Sequence, residues 1–239
     1  MGMGLDLQSY LGGTMIKDEL FERSPIRCFE KATGGIKAGE LGLLTSKKGL
    51  GKTSVLVQFG VDTLLQDKQV IHVSFDQQSA NVITWYQDIF TEIAKKKNIS
   101  NINELVTDLV RKRIILNFHQ DAMALPHIVT TLEALAQGGI QASCLVVDGV
   151  DLSKLKADDV QAIADYAKKS GVAVWFSASS DASDLDGTLA ADLQGLFQAV
   201  VRLEAKAGSI ELMILKLREE SARASGLVLD SKTLLIAEK

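Results

Sequence analysis

The segment over residues 46–53 has the residue types and the spacing of a loop that binds phosphate groups. Its sequence follows the pattern G-x-x-x-x-G-K-[ST], except that a serine stands where the first glycine is usual. An apolar strand candidate over 41–44 precedes it, and a helical pattern over 53–65 follows. In that setting, backbone N–H groups and the positive end of the helix can bind phosphate oxygens. The loop residues are Ser46, Lys47, Lys48, Gly49, Leu50, Gly51, Lys52 and Thr53.

The side chains at the end of this loop predict a site for ATP and Mg²⁺. Lys52 is expected to reach the β- and γ-phosphates, and the Thr53 hydroxyl is expected to bind the metal. Ser54 completes the Gly-Lys-Thr-Ser ending and belongs to the predicted ATP-binding set. The sequence contains no evident Asn-Lys-x-Asp guanine reader, which favours ATP over GTP. The alternative interpretation is a chance glycine-rich turn between a strand and a helix.

A second candidate for metal binding is Asp148, which ends the apolar run Cys144-Leu145-Val146-Val147. Proteins with phosphate-binding loops hold Mg²⁺ with an acid delivered by such a strand, directly or through water. The sequence therefore predicts that Asp148 lies beside Thr53 on the metal side of the site. The alternative is an aspartate that only forms a turn ahead of Gly149.

Composition indicates one globular α/β domain rather than a membrane or secreted protein. The chain has 239 residues, 46% hydrophobic and 23% charged, with a net charge of −4. It has no run of about 18 apolar residues and no signal-peptide pattern, so we expect no membrane span and a cytoplasmic location. Cys28 and Cys144 are expected to be reduced structural thiols. The three histidines show no metal-ligand spacing and are assigned no chemistry.

Apolar strand-like runs alternate along the chain with longer helical patterns. That alternation is typical of a mostly parallel sheet with helices on both faces, and the short runs near the C-terminus predict antiparallel strands. The predicted strands are 41–44, 70–75, 114–118, 144–147, 172–176, 199–203, 210–217, 227–229 and 233–236. The predicted helices are 53–65, 80–95, 105–109, 126–136 and 158–169, and a polar segment over 95–103 interrupts the pattern.

These motifs, in this order, resemble the RecA-like ATPase core, most closely its KaiC-like and DnaB-like branch. The resemblance implies a three-layer P-loop NTPase fold and covers roughly residues 25–236. We therefore predict an N-terminal extension over 1–24 and an ATPase domain over 25–239. The residues that carry it are Thr33-Gly34-Gly35-Ile36-Lys37-Ala38-Gly39-Glu40-Leu41, the Gly-Lys-Thr loop, Val73-Ser74-Phe75-Asp76, the Asp148 strand and Leu215-Lys216-Leu217-Arg218.

The resemblance also implies catalytic roles outside the loop. Asp76, followed by Gln77, takes the position of the family's catalytic glutamate, although its side chain is one methylene shorter; alternatively it caps the next helix. Lys216 and Arg218 match a Lys-x-Arg pair that family members project into the neighbouring subunit's nucleotide. Strand alternation would place this pair on one face, and the alternative is a solvent-facing pair.

The region after the strand over 172–176 gives two further expectations. Ser177 and Ser179 fall where the family contacts the γ-phosphate. The stretch 177–201 is where RecA-like recombinases and helicases carry loops for single-stranded nucleic acid, and such loops need cations. Here the stretch contains Asp181, Asp184, Asp186 and Asp192 and no lysine or arginine, so binding of nucleic acid is not expected.

Three classes of function follow from these features. The favoured one is an Mg-ATP-binding RecA/KaiC-like homo-oligomer, for example a hexamer, with weak hydrolysis at subunit interfaces coupled to the conformation of an unidentified protein partner. The second is a nucleotide-binding switch or scaffold that does not hydrolyse ATP, because Ser46 and Asp76 depart from the usual pattern. The third is a DNA helicase or recombination-type ATPase, which the acidic stretch disfavours.

Overall fold

The computed structural model describes residues 16–96, 103–118 and 125–239 of the chain. Part of the predicted N-terminal extension (1–15) and most of the polar segment over 95–103 lie outside these residues. Residues 16–22 are helical, and Leu20 is buried in the same apolar cluster as Ile26 and Phe29. The boundary between the extension and the ATPase domain stays a prediction.

Within the described residues, nine strands form one sheet. The strand that leads into the predicted loop, Leu41–Ser46, is buried along its whole length, as expected for a central parallel strand. In chain order the strands are β1 (Leu41–Ser46), β2 (Gln69–Ser74), β3 (Arg113–Asn117), β4 (Ala142–Val150), β5 (Ala173–Ser179), β6 (Ala199–Lys206), β7 (Ser209–Leu217), β8 (Arg223–Leu229) and β9 (Ile236–Glu238).

The order of strands across the sheet is β3-β2-β4-β5-β1-β6-β7-β8-β9. The pairs from β3 to β6 are parallel, and β6, β7, β8 and β9 pair antiparallel. The predicted mostly parallel sheet with antiparallel C-terminal strands is therefore confirmed. In this order β5 separates β1, which leads into the predicted phosphate loop, from β4, which carries Asp148.

Helices cover both faces of the sheet, which confirms the predicted three layers. Two buried apolar clusters, one on each face, hold the layers together. The first face carries α1 (Pro25–Thr33), α2 (Lys52–Leu65), α3 (Ser79–Lys96) and α4 (Asn103–Val110). The second carries α5 (Leu125–Gln137), α6 (Ala157–Ser170) and the short helices α7 (Leu185–Thr188) and α8 (Ala191–Gln194).

Helix α2 is buried on nearly all sides, and its polar side chains bond to the C-terminal segment. The Ser54 hydroxyl and Gln58 Nε2 both donate to the carbonyl of Leu234, each at 2.8 Å. The backbone N–H of Ile236 donates to Gln58 Oε1 at 2.8 Å. These bonds satisfy buried polar groups and fix the helix that follows the phosphate loop against the last strand.

The prediction of a strand over 233–236 is wrong. The Asp230 carboxylate accepts hydrogen bonds from the backbone N–H groups of Lys232 and Thr233, and Leu234 has φ +55. These features form a turn, and β9 begins only at Ile236. Within the described residues, no helix combines the length and the apolar character needed to cross a membrane.

Packing around Gly42 gives the first prediction. A Cβ atom at position 42 would lie 2.5 Å from the indole ring of Trp175, and that ring stacks on Phe59 at 4.4 Å between centroids. We expect Gly42→Ala to destabilise the protein by about 1–3 kcal/mol, because a buried ring must move. The free energy of unfolding in urea measures this effect.

Gly195→Ala is the matched control. Nothing lies within 4 Å of a Cβ atom at position 195, and its backbone is right-handed, with φ −67. We expect a change of no more than about 0.5 kcal/mol from this substitution. Equal stabilities of the two variants would contradict the packing argument.

Candidate functional site: the phosphate loop and its acid

The loop over 46–53 connects the end of β1 to the start of α2 at the carboxyl edge of the sheet. Ser46 pairs with Ser179 on one neighbouring strand and with Leu203 on the other. Gly49 and Gly51 have φ values of +86 and +91, which side-chain-bearing residues rarely adopt. A Cβ atom at Gly49 would have no neighbour within 4 Å, so the loop leaves open space above its backbone.

Ser46 fits the position of the usual first glycine. Its side chain is fully buried, and its hydroxyl donates to the carbonyl of Lys47 at 2.6 Å. Lys47 and Lys48 are exposed, whereas Leu50 is half-buried and packs on the first apolar cluster. The loop therefore presents its backbone and two cations to the outside while its first residue stays in the core.

Lys52 is a half-buried cation whose partners are neutral. Its Nζ donates to Ser46 Oγ at 3.2 Å and to Ser179 Oγ at 3.1 Å, and it forms no ion pair within the described residues. Burial lowers the pKa of Lys52, while Asp148 and Asp76 act in the opposite direction. An ammonium group held by two hydroxyls is available to an anionic ligand.

Thr53 and Asp148, predicted as the metal-binding pair, are brought together. The Thr53 hydroxyl donates to Asp148 Oδ2 at 2.8 Å and accepts a hydrogen bond from Gln77 Nε2 at 2.9 Å. These contacts leave one lone pair of the hydroxyl oxygen unused. Sequence reasoning did not assign Gln77 a contact, although its place directly after Asp76 at the end of β2 was a signal.

Asp148 is held by the strand between it and the loop. The register of β4 against β5 shifts after Val147, and Gly149 has φ +83, so the chain bulges at this point. The Ser177 hydroxyl donates to Asp148 Oδ1 and accepts from the Gly149 N–H at 3.0 Å. Ser177 thus binds the acid, whereas Ser179, the other serine predicted here, contacts Lys52.

His72 is a buried neighbour of Asp148 that sequence reasoning left without a role. Its Nε2 lies 3.9 Å from Asp148 Oδ2, beyond hydrogen-bond distance, and its Nδ1 lies 3.3 Å from the Tyr86 hydroxyl. Its position within the apolar run of β2 was the available signal, because a buried polar side chain needs a partner.

The pKa of Asp148 is lowered despite its burial. Burial acts to raise the pKa of Asp148, but His72, Ser177 and Thr53 outweigh that effect and hold the pKa below its usual value. A buried negative charge beside the Thr53 hydroxyl is suited to bind a divalent cation.

Asp76 lies next to this acid but makes no contact with Thr53. A Cβ atom at Gly149 would be 2.6 Å from Asp76 Cγ, so the Asp76 carboxylate lies directly against the β4 bulge. Burial raises the pKa of Asp76 and Asp148 raises it further, whereas Lys52 and Lys48 act to lower it. The alternative role as a helix cap finds no support, since Gln78 supplies the carbonyl that the first turn of α3 uses.

Three predicted site residues do not come together with the others. The hydroxyl of Ser54 bonds to Leu234, so only its backbone remains for a phosphate. Lys216 Nζ donates to the carbonyl of Gln194 at 2.5 Å. Arg218 donates to the carbonyl of Gly35 and to Glu40, each at 3.1 Å.

Strand alternation was the wrong basis for grouping Lys216 with Arg218. Strand β7 ends at Leu217, and Arg218 has φ +52, so the two side chains do not share a strand face. Leu217 pairs with Ala199, which pairs with Gly42 at the start of β1. The pair therefore lies toward the amino edge of the sheet, about 13 Å along the strands from the phosphate loop of the same chain.

Comparison with known proteins agrees with this geometry. The family model described as ATPase: KaiC matches residues 13–168, more than half of the chain. This chain belongs to the KaiC family of ATPases. The matched region contains the phosphate loop, Asp76 and Asp148, and it supports an ATP-binding RecA-like domain with a P-loop. A comparison with curated proteins gave no match.

The residues of this KaiC-family chain fit Mg-ATP on the observations above. The open glycine backbone and Lys52 can hold phosphate oxygens, and Ser179 lies beside Lys52. The free lone pair of Thr53 and the ionised Asp148 can hold the metal, directly or through water. Hydroxyl, carboxylate and water oxygens are the ligands that Mg²⁺ prefers.

The contact between Thr53 and Asp148 gives the second prediction. We expect Asp148→Asn to abolish the gain in ATP affinity that Mg²⁺ provides, because the amide carries no charge to hold the cation. Affinity measured in EDTA should change little. Calorimetric titrations with ATP, in Mg²⁺ and in EDTA, make this comparison.

Asp151→Asn is the control for this substitution. Asp151 follows the same strand but is partly exposed and caps the 3₁₀ turn Leu152–Lys154. Its replacement should leave the Mg²⁺ dependence intact. Retention of the full Mg²⁺ effect in Asp148→Asn would remove Asp148 from the metal site.

Proposed function

We propose that this chain binds Mg-ATP through the 46–53 loop and hydrolyses it slowly at an interface between subunits, where hydrolysis is coupled to a partner protein's conformation. The observation that carries the binding part is Lys52, a half-buried cation whose partners within the described residues are two serine hydroxyls and no carboxylate. Mg-ATP supplies the negatively charged phosphoryl group that Lys52 can bind, and its metal ion balances part of the phosphate charge.

Each loop residue has a defined task in this proposal. The N–H groups around Gly49 and Gly51 and the first turn of α2 bind phosphate oxygens, with Lys47 and Lys48 adding positive charge outside. Lys52 and Ser179 hold the terminal phosphate between them. Thr53 and Asp148 hold the metal, and Ser177 keeps Asp148 in its orientation.

Slow hydrolysis is proposed from the residues at the end of β2. Of the two residues Asp76 and Gln77, it is Gln77 that forms a hydrogen bond with Thr53. Its amide can orient a water molecule but cannot accept a proton from it. Asp76 can accept a proton, and its raised pKa favours this role, but its short side chain lies against Gly149. Orienting and accepting groups are thus divided between two residues.

A subunit interface is proposed because Lys216 and Arg218 lie far from the phosphate loop of their own chain. Each donates to acceptors near the amino edge of its own sheet. Their cations can stabilise a transferring phosphoryl group only if a neighbouring copy brings its own loop to them. This requirement supports a homo-oligomer, and a hexamer remains part of the proposal.

The second candidate is a switch that binds ATP without hydrolysing it. The observation that favours it is the Gln77–Thr53 contact, which places an amide where an acid would act as base. Both candidates share the same nucleotide site and a cytoplasmic setting, and they differ only in turnover.

The binding proposal gives the third prediction. We expect Lys52→Ala to weaken ATP binding more than tenfold, since it deletes a charge-assisted contact worth roughly 1.5–3 kcal/mol. Lys169→Ala removes an exposed lysine at the end of α6 and should bind like wild type. Calorimetric titration measures both, and an unchanged affinity of Lys52→Ala would refute binding through this loop.

Turnover gives the fourth prediction. We expect the wild-type rate of phosphate release per subunit to rise with protein concentration, because the Lys216 and Arg218 cations come from another copy. Arg218→Ala should reduce turnover by roughly a hundredfold at nearly constant ATP affinity, because such a cation acts on developing charge. Asp76→Asn should reduce it similarly, and Asp76→Glu should increase a slow rate if side-chain length is limiting.

The background for these rates is the Lys52→Ala variant. If the wild-type rate of phosphate release per subunit equals that background at every protein concentration while ATP still binds, the proposal of hydrolysis is wrong. The candidate that binds ATP without hydrolysing it is then correct.

A further inference from the structure

Strand β6 carries a buried cation, Arg202, in an otherwise apolar stretch. Arg202 is 4% exposed, and its neighbours Val200, Val201 and Leu203 are buried as well. Within the described residues, Arg202 forms no ion pair with a carboxylate. Burying a charge without a counter-charge is costly, so the burial of Arg202 must be offset by other contacts of its guanidinium group.

The hydrogen bonds of Arg202 go to the 179–181 segment, which is the last residue of β5 and the two residues that follow it. Nη1 donates to the carbonyl of Ser180 at 3.1 Å, and Nη2 donates to the carbonyl of Asp181 at 3.4 Å. Nε is buried and has no hydrogen-bond partner. Because both partners are neutral carbonyls, the positive charge of Arg202 is not cancelled locally.

The same 179–181 segment also forms hydrogen bonds with the phosphate loop. The N–H of Ser180 donates to the carbonyl of Ser46 at 3.0 Å. The hydroxyl of Ser179 accepts from Lys52 Nζ at 3.1 Å. Arg202 therefore binds the carbonyls of the 179–181 segment, and the same segment binds Ser46 and Lys52 of the phosphate loop.

We propose that Arg202 is a positioning residue that gives this site its preference for ATP over ADP. It fixes the 179–181 segment so that Ser179 and Lys52 are positioned for a terminal phosphate. The proposal rests on the proposed function, because it refines how the same loop binds nucleotide. It adds a residue from β6 that lies outside the loop and outside the region matched by the family model.

The physical reason is the charge of the third phosphate. ATP carries more negative charge than ADP, and the additional charge lies at the end of the nucleotide that Lys52 and Ser179 would hold. Arg202 affects that end of the site through its two hydrogen bonds, which hold the backbone of residues 180 and 181 next to Ser179. A segment held by these hydrogen bonds also reduces the entropy cost of ordering Ser179 when the phosphate binds.

The experiment compares ATP and ADP affinities of the full chain by calorimetry in Mg²⁺. Arg202→Met keeps most of the volume and removes the charge and both hydrogen bonds. We expect the preference for ATP over ADP to fall by about tenfold, the lower end of the loss that follows removal of residues that orient metal ligands. The ADP affinity should change less than the ATP affinity, because ADP has no third phosphate for Ser179 to contact.

Arg223→Met is the matched control. Arg223 on β8 also donates to a backbone carbonyl, that of Ala32, at 3.1 Å, but it is exposed and pairs with Glu220. Its replacement should leave the ratio of ATP to ADP affinities unchanged. An unchanged ratio in Arg202→Met, or equal losses of ATP and ADP affinity, would overturn the role of Arg202.

Arg202→Lys decides the question if Arg202→Met does not fold. Lysine keeps the charge but cannot donate to both carbonyls in the arginine geometry, so we expect a smaller fall in the ATP preference. A ratio equal to wild type in Arg202→Lys would then overturn the proposal. If wild type binds neither nucleotide, the proposed function fails first, and this result is distinct from a wild type that binds both nucleotides with equal affinity, which refutes only the inference on Arg202.

Discussion

The site depends on keeping the carboxylate of Asp148 ionised in a buried position. The cost of removing this charge from water is offset by the nearby His72 and by hydroxyl donors on two other elements, Ser177 on β5 and Thr53 at the start of α2. The bulge at Gly149 turns the backbone so that its N–H bonds to the same serine. Three elements are thereby fixed around one acid, and the geometry of the phosphate loop follows from their positions.

Helix α2 transmits this constraint to the rest of the domain. It is buried on nearly all sides, so its polar side chains must find partners within the protein. Gln58 and Ser54 find them in the backbone of residues 234–236, beyond the last turn of the sheet. The C-terminal antiparallel strands consequently support the helix whose first turn bears Lys52 and Thr53, although they are distant in sequence.

The two edges of the sheet have different chemistry. The carboxyl edge carries the glycine loop, Lys52 and the acids, whereas the amino edge carries Lys216 and Arg218, whose donors are engaged within the chain. One copy therefore separates the groups that would bind a nucleotide from those that would stabilise charge transfer. The proposed assembly between copies rests on this separation, and the buried Arg202 concerns only the first of the two edges.

Local patterns sufficed for much of this protein, and contacts across the sheet account for the rest. The loop motif, the alternation of strands and helices and the acid after an apolar strand predicted the fold, and the structure brings Thr53 and Asp148 together, because each signal lies within a short segment. The roles of Gln77, Ser177 and Arg202 depend on the strand order β2-β4-β5-β1-β6, and periodicity carries no information on strand order. Positive φ at Arg218 and the Asp230 turn likewise arise from specific hydrogen bonds, which hydrophobic spacing does not encode.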